Sequence, residues 1–132
     1  MRDFSRASTP TLAVVAAARV GVGLAMVAAP GWFFSPGSGT ETLLMRTIGI
    51  RDVALGSGAC AALACAGEKQ FRRWAATGLF SDSADIVAGL TCRPGVGAGS
   101  AAIATLAPVP FVAAGVFGLL CGGRSRVGGR DT

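Results

Sequence analysis

Apolar residues fill four long stretches of the chain, and polar or helix-breaking residues separate them. The stretches run over about residues 11–29, 43–66, 71–91 and 100–121. A helix needs about 20 mostly apolar residues to cross the hydrocarbon core of a bilayer. Pro30-Gly31, Gly67, Arg93-Pro94-Gly95 and Gly122-Gly123 end the four stretches, as expected of helix stops. The pattern predicts an all-α fold: an integral membrane four-helix bundle of four transmembrane spans, forming a single domain over residues 1–132.

Composition agrees. Of the 132 residues, 52% are hydrophobic and only 14% charged, with a mean hydropathy of +0.58. Soluble domains carry nearer a quarter charged residues, so a soluble helical bundle is disfavoured. There is no His, which removes His metal sites, Ser-His-Asp triads and His general bases. No metal site and no cofactor is expected.

Basic residues then set an orientation. Arg2, Arg6, Lys69, Arg72, Arg73, Arg124, Arg126 and Arg130 fall on one side of the four spans, and Arg93 alone on the other. This asymmetry predicts a cytoplasmic membrane protein with both termini in the cytoplasm. It also explains the net charge of +5 through topology and anionic headgroups rather than nucleic acid. A cleaved signal peptide fits less well, because Arg19 interrupts the first apolar stretch and the later spans need a cytoplasmic start. Gly95-Val-Gly-Ala-Gly99 lacks the preceding strand and following Lys of a phosphate loop.

Other residues suggest how the spans settle. Trp32, Phe33 and Phe34 at the exit of span one, and Phe71 and Trp74 at the entry of span three, form an anchor pattern at the two interfaces. Small residues recur four apart: Ala17-Gly21-Ala25-Ala29 in span one, and Gly56-Cys60, Gly58-Ala62 and Gly118-Gly122 later, with Gly78 and Gly89 in span three. Such spacing lets helix backbones approach. Pro108 and Pro110 are expected to kink or loosen span four. Cys60, Cys65, Cys92 and Cys121 form no Cys-x-x-Cys pair and are expected to be small buried thiols.

The most informative residues are the charges inside the spans: Arg19, Arg46, Arg51, Asp52, Asp82 and Asp85, three of each sign. Each costs about 2.5–3.5 kcal/mol at a helix centre unless it pairs or meets water. At about 1.5 Å of rise per residue, all but Arg46 fall in one slab around the midplane, and Arg46 lies far enough outward to snorkel. Asp82 and Asp85 share one helix face, whereas Arg51 and Asp52 point about 100° apart. The expected pairing joins Arg51 to Asp82 or Asp85, and Arg19 to Asp52. A charge exchange between Arg19 and Asp52 should then restore folding lost in either single variant.

The motif Arg46-Thr-Ile-Gly49-Ile-Arg51-Asp52-Val-Ala-Leu-Gly56, followed by Asp82-Ser-Ala-Asp85 one span later, resembles a group of small uncharacterised four-helix bacterial membrane proteins, loosely similar to the DoxX-like families. The likeness covers roughly residues 11–121. It implies the same topology and singles out Arg46, Arg51, Asp52, Asp82 and Asp85. It implies no reaction.

Three functions stay open on these residues. The Arg/Asp cluster takes the head group of a lipophilic small molecule or a helix of a membrane protein partner. Or the chain is a cofactor-independent membrane enzyme, with Asp82 and Asp85 as catalytic acid/base on a lipophilic substrate. Or it is a small proton-coupled transporter, which would need a homo-oligomer because four spans enclose little room. Against all three stands a purely structural role, in which the pairs only lock the bundle.

Overall fold

The computed structural model describes residues 3–32, 37–92, 95 and 98–123, with residues 3–8, 98 and 121–123 by backbone only. The described chain is helical, with no strand. Helix α1 spans Asp3–Ala28 and ends in a short 3-10 turn at Pro30–Trp32. Helix α2 spans Gly39–Cys65, and α3 spans Glu68–Thr91. The fourth apolar stretch forms α4, Ala98–Leu106, and α5, Val109–Gly123. Neighbours in the bundle are α1 with α2, α2 with α3, and α3 with both α4 and α5, while α5 closes the ring against α1.

Local chemistry explains the boundaries. Helix α2 starts before the apolar pattern does, because Ser38 caps it: its Oγ accepts from the Glu41 N–H at 3.2 Å. Glu41 in turn accepts from the Gly37 N–H at 2.6 Å, so two orphan donors are satisfied reciprocally. Between α2 and α3 the chain reverses at Gly67, whose φ of +82° suits a residue without Cβ. Pro108 and Pro110 lack the N–H groups that the carbonyls of Ala104 and Leu106 would accept in a continuous helix. The fourth stretch therefore breaks between α4 and α5, as the two prolines predict.

That break lets each half find its own neighbour. Upper half α4 packs on α3 where Gly89 meets Ala101, Ala104 and Thr105. Lower half α5 packs on α1 where Gly118 meets Leu12, and on α3 where Gly115 meets Leu79. Arg72 of α3 donates to the Leu119 carbonyl of α5 at 2.7 Å, and Ser100 of α4 donates to Glu41 of α2 at 2.8 Å. These two hydrogen bonds tie opposite ends of the bundle.

The apolar core lies toward the end that holds the start of α3. It comprises Leu12, Ala16, Ala59, Ala62 and Phe71, with Trp74, Ala75 and Leu119 against it. Phe71 is only 1% exposed, and the Trp74 ring lies over Gly58. Both residues thus turn inward rather than anchoring an interface as expected, because Gly58 leaves a slot that an indole fills. Trp32 is 81% exposed, whereas Phe33 and Phe34 lie outside the described residues. Cys60, Cys65 and Cys92 are exposed, not buried as expected. The faces they occupy point away from the neighbouring helices. The Cys121 side chain lies outside the description.

The α1–α2 seam also differs from expectation. The stripe Ala17-Gly21-Ala25-Ala29 does not form it: Ala17 and Gly21 are exposed, and Gly21 has nothing within 4 Å of where a Cβ would stand. The seam uses Ala16, Gly23 and Met26 of α1 against Gly49 and Gly56 of α2. A Cβ on Gly23 would lie 2.6 Å from the Gly49 carbonyl oxygen, and one on Gly49 would lie 2.6 Å from the Gly23 carbonyl oxygen. The two backbones touch reciprocally there.

Large apolar side chains are exposed on α1, α2, α3 and α5, among them Leu24, Ile50, Phe80, Val87, Phe117 and Leu120. Three helical stretches are long and apolar enough to cross a membrane: Thr9–Ala28, Gly39–Cys65 and Gly99–Leu120. Helix α3 falls short because Arg72, Arg73, Asp82 and Asp85 all lie within it.

The seam gives a direct test. Gly49→Ala should destabilise the bundle by about 1–3 kcal/mol, because a backbone rather than a flexible side chain must move. Gly21→Ala should leave it unchanged or slightly firmer. Thermal unfolding of the two variants in one detergent compares them, and equal midpoints would refute the seam.

Candidate functional site

Charged side chains gather at mid-height of the bundle, near the middles of α1, α2 and α3. Arg19 of α1 donates from Nη1 to Asp52 Oδ1 of α2 at 3.1 Å, and from Nη2 to Asp82 Oδ2 of α3. One guanidinium thus joins three helices. Its planar fork suits two carboxylates that approach from different sides. The Phe111 ring, the first aromatic of α5, lies under the same guanidinium at 4.9 Å from ring centroid to Cζ, within cation–π range. The guanidinium lies against Gly78 of α3, where an added Cβ would stand 3.4 Å from Cζ.

Arg51 extends the cluster sideways. Its Nη1 pairs with Asp85 Oδ2, and its Nη2 lies 3.4 Å from Asp52 Oδ1 and 3.9 Å from Asp82 Oδ1. The expected pairs Arg19–Asp52 and Arg51–Asp85 are both present. The bond from Arg19 to Asp82 was not expected, and it makes Asp82 the shared partner of both arginines.

The cluster has two unlike ends. Arg19 and Asp52 are 5% exposed and Asp82 is 1% exposed. The side chains of Arg51 and Asp85 are 28% and 24% exposed. The inner end is sealed, whereas the Arg51–Asp85 end reaches the surface of the bundle. Of the two carboxylates considered as acid/base groups, Asp85 is therefore the accessible one, and Asp82 is buried with Oδ2 accepting from Arg19.

Arg46 stands apart. It is exposed on α2, with no ion pair to any described residue. The balance of three arginines against three aspartates therefore does not hold inside the bundle. Helix geometry had already placed Arg46 outward, but its charge does not belong in the cluster's sum.

Below the guanidinium lies a cavity of about 20 Å³, bordered by Arg19, Leu55, Trp74, Leu79 and Phe111. That is room for about one water molecule. Pockets that enclose lipophilic ligands are more than tenfold larger, at about 300–1,000 Å³. Among the described residues, no group of three or more Cys, Asp or Glu side chains is arranged to hold a metal ion.

Phe111 and Gly23 carried no sequence signal beyond their residue type, since their roles arise from the α4–α5 break and from the seam register. No protein family, no curated protein and no solved structure matches the chain.

The ion pairs predict an ordered series of stabilities. Arg19→Met leaves two carboxylates buried without their main partner and should cost about 3–5 kcal/mol. Adding Asp52→Asn and Asp82→Asn should recover most of that loss. Exchanging charges between positions 19 and 52 should recover only part, because an aspartate at position 19 would then face Asp82. Unfolding midpoints in nanodiscs measure the series, and a complete rescue by the two-residue exchange would contradict the three-way bond.

Proposed function

We propose that the chain is a four-span protein of a bacterial cytoplasmic membrane, related to the small DoxX-like proteins, that binds the polar group of a lipophilic molecule at Arg51 and Asp85. The partly exposed Arg51–Asp85 pair, at mid-height of a bundle whose helices expose large apolar residues, carries this reading. An exposed ion pair at that depth is costly unless another polar group meets it. Arg51 Nε, buried and without a hydrogen-bond partner among the described residues, is a further donor to satisfy.

Helix α3 counts as the fourth span on two grounds. Its charges face the bundle at Asp82 and Asp85, while Phe80, Val87 and Leu90 face outward. Its Lys69, Arg72 and Arg73 lie at the same end of the bundle as the start of α1 and the end of α5. With that basic end in the cytoplasm, both termini lie there too.

The small size of the internal cavity shapes the binding mode. The apolar body of a ligand lies along the outside of the helices, and only its head reaches the ion pair. This geometry favours binding over enclosed catalysis.

Native mass spectrometry of protein extracted in mild detergent tests the proposal. The expected spectrum carries a bound lipophilic mass, and Asp85→Asn or Arg51→Gln lowers its occupancy about tenfold or more with helicity kept. A photoreactive residue in place of the exposed Ala88, one turn beyond Asp85, should cross-link to the same mass. Cross-links only to another polypeptide would replace the lipophilic molecule by a partner helix. Unchanged occupancy in both variants would defeat the proposal.

A further inference from the structure

The charges that meet at the centre of the bundle do not cancel. Helix α1 contributes Arg19, α2 contributes Arg51 and Asp52, and α3 contributes Asp82 and Asp85. Neither α4 nor α5 has a Lys, Arg, Asp or Glu in its sequence, and α5 offers only the Phe111 ring. Arg46, the remaining basic residue of α2, is exposed and outside the cluster. Among the described side chains, three carboxyl groups therefore face two guanidinium groups. Fully ionised, the group would carry one uncompensated negative charge, with three of its five members almost wholly buried. A lone buried charge is removed by neutralisation wherever a proton is available.

We infer that the cluster binds one proton at neutral pH, shared among its three carboxyl groups. Asp82 Oδ2 accepts from Arg19, while its Oδ1 lies 3.9 Å from Arg51, outside hydrogen-bond reach. Asp52 receives guanidinium nitrogens at Oδ1 only, and Asp85 at Oδ2 only. Asp52 Oδ2, Asp82 Oδ1 and Asp85 Oδ1 are the positions left for an O–H. Three oxygens fall well short of the shell of about six to eight that a cation such as calcium requires, so a proton is the fitting counter-charge. Protonation is a simple addition, carboxylate plus proton giving carboxylic acid, with no redox partner. The exposed Arg51–Asp85 end provides the way in and out. The inference rests on the ion pairs alone and does not depend on the binding of a lipophilic molecule.

Infrared spectroscopy of the full chain in nanodiscs tests it. Aspartate is labelled with ¹³C at the carboxyl, and Asp3 and Asp131 are replaced by Asn so that only the three cluster carboxyls remain. The expected spectrum at neutral pH shows a protonated-carboxyl C=O band that shifts with the label and, on transfer to D₂O, with deuterium. Asp52→Asn, Asp82→Asn and Asp85→Asn should each abolish the band, because any one of them leaves two carboxylates for two guanidinium groups. Loss in all three is specific to a shared charge count; an ordinary buried acid would lose it in one variant alone. Absence of the band from the otherwise unchanged chain overturns the inference. So does a band that survives in two of the three variants. If one Asn variant fails to fold, loss of the band in both of the others still requires the shared charge count, and its survival in either overturns the inference.

Discussion

The bundle depends on one guanidinium group. Arg19 bonds to Asp52 and Asp82, so a single side chain fixes the relative height of α1, α2 and α3. If the bundle lies in lipid, as proposed, there is little hydrophobic drive between its helices, because tails are as apolar as leucine. A buried, directional, three-way bond therefore supplies register that apolar packing does not. The same bond forbids many alternatives. A slide of one residue along any of these helices would leave a carboxylate or a guanidinium buried without its partner.

Close backbone approach makes that bond possible. Gly23 against Gly49, and Ala16 against Gly56, bring α1 and α2 together on either side of the level of Arg19 and Asp52. The guanidinium rests against Gly78 of α3, and the break after Leu106 delivers Phe111 beneath it. Small residues and prolines thus act at a distance on the electrostatics. The outcome is a site with a sealed inner end, which holds the fold, and a reachable outer end at Arg51 and Asp85, which is free to meet something else.

Much of this was legible in the residues. Helix rise alone put Arg19, Arg51, Asp52, Asp82 and Asp85 at one depth, and angular spacing sorted two of the pairs. Depth and angle do not tell whether one arginine serves two carboxylates, so the bond to Asp82 was not foreseen. Hydropathy misjudged Phe71 and Trp74, because an aromatic near a helix end suits an interface or a core equally well; the neighbour Gly58 decides. The stripe Ala17-Gly21-Ala25-Ala29 had the right spacing but the wrong face, since small residues line both faces of α1. The start of α2 was placed too late because Ser38-Gly-Thr-Glu41 caps it by hydrogen bonds, which an apolar pattern does not register.

The most direct measurement is a set of solid-state NMR distances in lipid bilayers, from ¹⁵N of the Arg19 guanidinium to ¹³C of the Asp52 and Asp82 carboxyl groups and to ³¹P of the lipid. The expected result is strong dipolar contact with both carboxyls and none with phosphorus. Contact with lipid phosphorus in place of the two aspartates would mean that Arg19 snorkels to the headgroups, and the three-helix bond would be wrong.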